Sequence, residues 1–196
     1  GDSPYQSFSA VAGNTHFIDF SLLEEQGYLS LEDYQPVSFG SDLESVDYAL
    51  LYVRRRPILE KGVKGFLATP KASALLASFE QENSWVNDFA DFMAIKEHFG
   101  NKALQEWGDK AIVQREEGAL NAYREQLADT ILYHKVAQYF FYTQWLDLKR
   151  YANDRNIQII GDMPIYVSAD SVEVWTMPEL FKLDANRKPL VVAGVP

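Results

Sequence analysis

The sequence predicts an α/β fold with a large, mostly helical insertion, and three features carry that expectation. A helical pattern runs from Gly118 to about Asn153. The short, β-branched run Ile157-Gln158-Ile159-Ile160 comes directly after it. Gly161-Asp162-Met163-Pro164 then ends that run, because proline cannot continue a ladder and glycine permits a close backbone turn. A long helix leading into a strand apolar on both faces is the αβ half of a βαβ unit. Barrels and doubly wound sheets both use such units, and the residues alone leave the two open.

The chain before the strand opens with a loop. Residues 1–20 mix Ser, Pro, Gly and Asn with aromatics, which suggests an ordered one. Asp19 or Ser21 can cap a short helix over Leu22–Gln26, stopped by Gly27. Residues 30–45 are polar and turn-rich. Val46–Glu60 reads as a helix interrupted near Pro57, since proline removes a donor and crowds the preceding turn. A helix over 71–81 is opened by Pro70. Asn83 or Ser84 can cap the next, which turns Trp85, Phe89, Phe92, Met93 and Ile95 to one side and ends at Gly100. Trp107 begins a less regular stretch.

In the Gly118–Asn153 pattern, Leu120, Tyr123, Leu127, Ile131, His134, Phe141, Trp145 and Leu148 recur at threes and fours, with Gln138 in one register position. A single helix of that length would span about 50 Å, so a kink or break within it is expected. Beyond the strand, helical turns are expected near Ser171–Trp175 and Pro178–Leu183, and Leu190-Val191-Val192 reads as a second strand.

Composition narrows function by exclusion. The 196 residues carry a net charge of −10, with 28 acids against 18 Lys and Arg. Such a surface repels nucleic acid and anionic membranes, whose phosphates need clustered cations. The one basic triplet, Arg54-Arg55-Arg56, reads as a solvated helix face. Cysteine is absent, which fits a reducing cytoplasm and excludes disulfides and thiolate metal sites. Aromatics make up 14% of residues. They form either a ring-rich core or, in part, platforms for the apolar faces of sugars, and composition does not choose. His16, His98 and His134 lack ligand spacing, so no metal is expected, and His134 reads as a core histidine. The glycine patterns of nucleotide-binding loops and the nucleophile elbow are missing, so no cofactor is implied. Glu24-Glu25 and Glu116-Glu117 read as exposed helix charges.

Asp162 is the most informative acid. A carboxylate at the C-terminal end of a buried parallel strand sits where α/β folds bind ligands. It reads either as an acceptor for two sugar hydroxyls or as a turn and capping residue, and position alone leaves both open.

At these residues the sequence resembles a known family. Ile159-Ile160-Gly161-Asp162-Met163-Pro164-Ile165-Tyr166-Val167 is similar to the strand motif of the 4-α-glucanotransferases, also called amylomaltases (glycoside hydrolase family 77). Ser3-Pro4-Tyr5-Gln6-Ser7-Phe8-Ser9-Ala10, with Ala12-Gly13-Asn14, resembles the family's N-terminal loop. Tyr133-His134-Lys135 through Trp145, with Tyr151-Ala152-Asn153, resembles the helix before the strand. Asp170-Ser171 through Val174-Trp175, Pro178-Glu179-Leu180-Phe181 and Val192-Ala193-Gly194-Val195-Pro196 resemble the family's segment after the strand. Residues 28–130 match loosely.

The resemblance implies a partial (β/α)8 TIM barrel in three parts: residues 1–20 as a loop lining the sugar cleft, 21–117 as the helical insertion, and 118–196 as helix, barrel strand and loop. It implies transfer of α-1,4-glucan segments by a retaining double displacement through two carboxyl groups. It also implies that those catalytic acids lie beyond Pro196, so no acid present here is assigned their role and this piece alone is expected to be inactive. Ser3, Tyr5 and Asp162 match positions that line the sugar cleft, with Tyr5 beside the cleavage point and Asp162 on the donor side. Asp170 and Trp175 are read as supports of the loop. The implied partners are maltooligosaccharides or other α-1,4-glucans. The competing readings are a non-catalytic glucan-binding module and a helical interaction protein. A partial barrel leaves open edges, so the piece is expected to self-associate or to belong to a longer chain.

Overall fold

The protein's structure, a computed structural model, describes residues 6–42, 44–162 and 166–191. Its α-helices are α1 (Phe20–Glu25), α2 (Leu31–Tyr34), α3 (Tyr48–Leu67), α4 (Ala72–Glu82), α5 (Trp85–His98), α6 (Lys110–Val113), α7 (Glu117–Gln126), α8 (Ala128–Asn153) and α9 (Val172–Thr176). Short 3-10 turns cover Thr15–Phe17, Leu104–Glu106 and Pro178–Leu180. Among the described residues there is no strand, and the β-bridge recorded pairs Leu183 with Pro189. No helix among them is long and apolar enough to cross a membrane. The chain divides into two units: residues 13–83 with 135–159, and residues up to Ala12 with 84–134 and from Ile160 onward.

In the first unit, local chemistry sets the helix ends. Asp19 accepts the Ser21 N–H at 2.8 Å and opens α1. Gly27, at φ 76°, closes it with an N–H to the Glu24 carbonyl. Residues 30–45 hold a short helix that their polarity concealed. Asp33 accepts from both the N–H and the hydroxyl of Ser30, which caps α2, and pairs with Lys61 at 2.8 Å. The Lys61 ammonium and the Ser30 donors hold the Asp33 carboxyl down at about 2.

The core of this unit is ring-rich. Phe66 packs edge-on to Tyr28 and Phe140, with centroids at 5.4 and 5.6 Å, and Tyr28 stacks on Phe140 at 5.7 Å. Gly65 makes this approach possible, because a Cβ there would sit 2.1 Å from the Tyr28 carbonyl oxygen. Two glutamines of α8 fasten the segment before α1. Gln138 accepts from the Gly13 N–H and donates to its carbonyl, at 2.8 and 3.0 Å. Gln144 does the same with Asp19, at the same distances. The polar position in an otherwise apolar helix is thus a buried amide pairing with backbone.

Two expectations are corrected in this unit. Helix α3 runs through Pro57 without interruption. The carbonyl that loses its donor belongs to Val53, and both residues are exposed, so water can replace the missing bond. The arginine triplet is also not a solvated face. Arg54 donates to the Ser38 carbonyl, and Arg55 donates to the Ile18 carbonyl with its guanidinium 4.1 Å from the Phe20 ring. Arg56 pairs with Glu60 at 2.8 Å.

The second unit is built around α5. Phe92, Ile95, Leu104, Ile112, Val174 and Trp175 share one buried cluster with Trp107. The expected break in the long helical pattern falls at Leu127, whose φ of −110° and ψ of 20° end α7 before α8 begins. Gly100 ends α5 at φ 69°, as its position suggests. Ser171 accepts the Val174 N–H and caps α9.

The buried strand expected over Ile157–Ile160 is the main correction. Asn156, at φ 59°, ends α8, and the Ile157 N–H returns to the Ala152 carbonyl. The run itself has no regular secondary structure and is exposed: Ile157 56%, Ile159 42% and Ile160 92%. A strand is buried by its neighbours and held by their hydrogen bonds, and no ladder partner exists for this run among the described residues. The second expected strand is represented by the Leu190 N–H on the Lys182 carbonyl, and Val192 lies outside the described residues.

Candidate functional site

Asp162 is exposed and has no hydrogen-bond or ion-pair partner among the described residues. Ser3 and Tyr5 lie outside the described residues. What the structure does describe, within the second unit, is the frame on which the chain flanking each of them is fastened.

The loop after Asp162 is held from several sides. Lys96, only 3% exposed in its side chain, donates from Nζ to Asp170 Oδ2 at 2.6 Å and to the Lys102 carbonyl at 2.8 Å. The other oxygen of Asp170 accepts the Leu104 N–H at 2.9 Å. Gln105 donates to the Ala169 and Arg187 carbonyls. Trp175 is fully buried, and its Nε1–H donates to the Ile112 carbonyl at 2.8 Å. Asp170 and Trp175 support the loop, as the sequence indicated.

The N-terminal segment meets the same loop. The Val172 N–H donates to the Phe8 carbonyl at 2.9 Å, and Lys96 Nζ lies 4.8 Å from the centre of the Phe8 ring. Glu173 Oε1 accepts from the Ser9 hydroxyl at 3.2 Å and from the Ala10 N–H at 2.7 Å. Lys96 and Glu173 are the residues that sequence reasoning missed. Lys96 did carry a signal, because it falls four positions after Phe92, on the buried stripe of α5.

The histidines have structural partners. His134 bonds Glu97 at 2.8 Å, His98 packs edge-on against Phe99 and Tyr123, and His16 packs against Tyr52. Among the described residues no group of three or more His, Cys, Asp or Glu side chains is placed to hold a metal ion.

The described helices and loops match a solved protein. The chain superposes over its whole length on an amylomaltase from Streptococcus agalactiae in complex with acarbose, with a TM-score of 0.98 and 69% identity, and covers 39% of that chain. The class is therefore that of the amylomaltases. The sequence model of the family described as 4-alpha-glucanotransferase matches residues 1–196, and the chain belongs to that family. It is 54% identical over 196 residues to a 4-alpha-glucanotransferase of Streptococcus pneumoniae and 45% identical over 199 residues to one of Thermus thermophilus. In both cases all of this chain aligns and spans about 39% of the relative's length.

Proposed function

We propose that this chain is part of a longer 4-α-glucanotransferase, which moves α-1,4-glucan segments to a sugar 4-hydroxyl by a retaining double displacement. The observation that carries the reading is the likeness, over every residue of the chain, to an amylomaltase whose structure was solved with acarbose. The chain would supply sugar contacts, and the nucleophile and acid/base would come from sequence beyond Pro196. In this reading Ile157–Ile160 forms a strand of a (β/α)8 barrel, residues 1–20 line the cleft and residues 21–117 form the helical insertion. The 92% exposure of Ile160 supports that assignment, because a bare β-branched run gains by acquiring strand neighbours. The same bare residues support self-association of the isolated piece.

Asp162 would accept two hydroxyls of a donor-side glucose. Its carboxylate is exposed and has no hydrogen-bond or ion-pair partner among the described residues, which supports this reading. Tyr5 would stack on or bond the glucose beside the scissile bond, with Ser3 close by. Fixed contacts of this kind hold the glucan in line at the scissile bond and limit water, which favours transfer over hydrolysis. A hydrogen bond to a charged group contributes about 1.5–3 kcal/mol, or roughly a 10–150-fold change in rate. Asp162→Ala in the full-length parent is therefore expected to lower kcat/KM for maltotriose at least about tenfold, with the melting temperature unchanged because the residue is exposed. Wild-type kcat/KM in that variant would remove Asp162 from the sugar site.

A further inference from the structure

We propose that Glu173 is a positioning residue of this reaction, an inference that rests on reading the parent as a 4-α-glucanotransferase. Glu173 lies on α9, eleven positions after Asp162, and its carboxylate takes the Ser9 hydroxyl and the Ala10 N–H on one oxygen. Ser9 is itself buried, and its Oγ accepts the Val11 and Ala12 N–H groups, both at 3.2 Å. One carboxylate thus fixes a whole turn of backbone. That turn begins four residues after Tyr5 in the sequence. The Val172 N–H on the Phe8 carbonyl and Lys96 against the Phe8 ring secure the same junction. Glu173 joins the chain that continues from Asp162 to the chain that continues from Tyr5.

A second observation supplies the control variant for this role. Glu173 Oε2 is buried and has no hydrogen-bond partner among the described residues. An acceptor withdrawn from water without a donor opposes folding. A glutamine would keep the Oε1 bonds and remove that charge, so stability alone does not favour the glutamate. Positioning through Oε1 requires only the acceptor oxygen.

The test uses the full-length parent and measures maltotriose disproportionation and hydrolysis side by side, the latter as new reducing ends, which transfer conserves. For Glu173→Ala the expected result is a KM for maltotriose raised about fivefold and a transfer-to-hydrolysis ratio lowered about tenfold, as a loosened sugar contact admits water. Ser9→Ala, which breaks the junction from the other side, is expected to move both quantities in the same direction. Glu173→Gln is expected to restore both toward the wild-type values. A merely structural role reduces the number of active molecules, which lowers kcat for transfer and hydrolysis together and leaves KM and the ratio unchanged. That result for Glu173→Ala, with wild-type activity intact, overturns the inference alone. A wild-type parent that performs no disproportionation overturns the underlying reading, and this inference with it.

Discussion

Trp175→Ala is expected to destabilise the second unit by about 3–5 kcal/mol, the usual range for emptying a large buried aromatic site. The side chain is 0% exposed and packs against Phe92 and Trp107, with ring centroids at 5.9 and 6.1 Å. Its Nε1–H is the side-chain donor on the Ile112 carbonyl. Truncation therefore opens a cavity among packed rings and removes one hydrogen bond, while the Ile112 carbonyl keeps the Arg115 N–H at 3.0 Å. Phenylalanine would refill most of the volume and leave only the lost hydrogen bond, about 0.5–1.5 kcal/mol, since the Ile112 carbonyl keeps a backbone donor. Calorimetry of the full-length parent should show a fall in melting temperature of roughly 10 °C for the alanine variant and clearly less for phenylalanine. Equal melting temperatures for wild type and Trp175→Ala would mean that this cluster does not support the loop.

Lys96→Met is the second large effect. The lysine's burial is tolerated because Asp170 and the Lys102 carbonyl both accept from it. Removing one partner of a buried pair costs about 3–5 kcal/mol, since the other charge is left uncompensated. Asp170 keeps 22% of its side-chain exposure and can recruit water, which places the expected loss near the lower end, at about 3 kcal/mol. Asp170→Asn still offers an oxygen to the Leu104 N–H. The double variant Lys96→Met with Asp170→Asn should therefore be more stable than Lys96→Met alone, because it no longer buries a lone carboxylate. A double variant whose melting temperature falls by the sum of the two single losses would show that the pair is not coupled.

Features that depend on near neighbours were legible in the sequence. Asp19 and Gly27 bound α1, Gly100 closes α5, a helical turn does form near Ser171–Trp175, and the overlong pattern after Gly118 does break, at Leu127. Each rests on chemistry within a few residues. Features whose partners lie far along the chain were not legible. Lys96 meets Asp170 across 74 positions, and Arg55 reaches the Ile18 carbonyl across 37. Nothing near the arginine triplet announced those acceptors, so it read as a wet face. Pro57 misled for a related reason, because its effect depends on whether the orphaned carbonyl reaches water. The run Ile157–Ile160 shows the limit most clearly. Its residues suit a buried strand, but burial belongs to the neighbours, and none of the described residues supplies them. Of the candidate sugar contacts, Asp162 is exposed and without a partner among the described residues, whereas Ser3 and Tyr5 fall outside them.

The division of labour proposed for residues 1–196 is that they hold the sugar and do not break the bond. Maltotriose disproportionation, monitored by chromatography of the products, tests that division most directly when the 1–196 chain and the full-length parent are assayed at equal concentration. The full-length parent should convert maltotriose into glucose and longer maltooligosaccharides, while the 1–196 chain should leave it unchanged. Turnover by the 1–196 chain alone would contradict the division, because the acids that cleave the bond would then have to lie among the residues assigned only to binding.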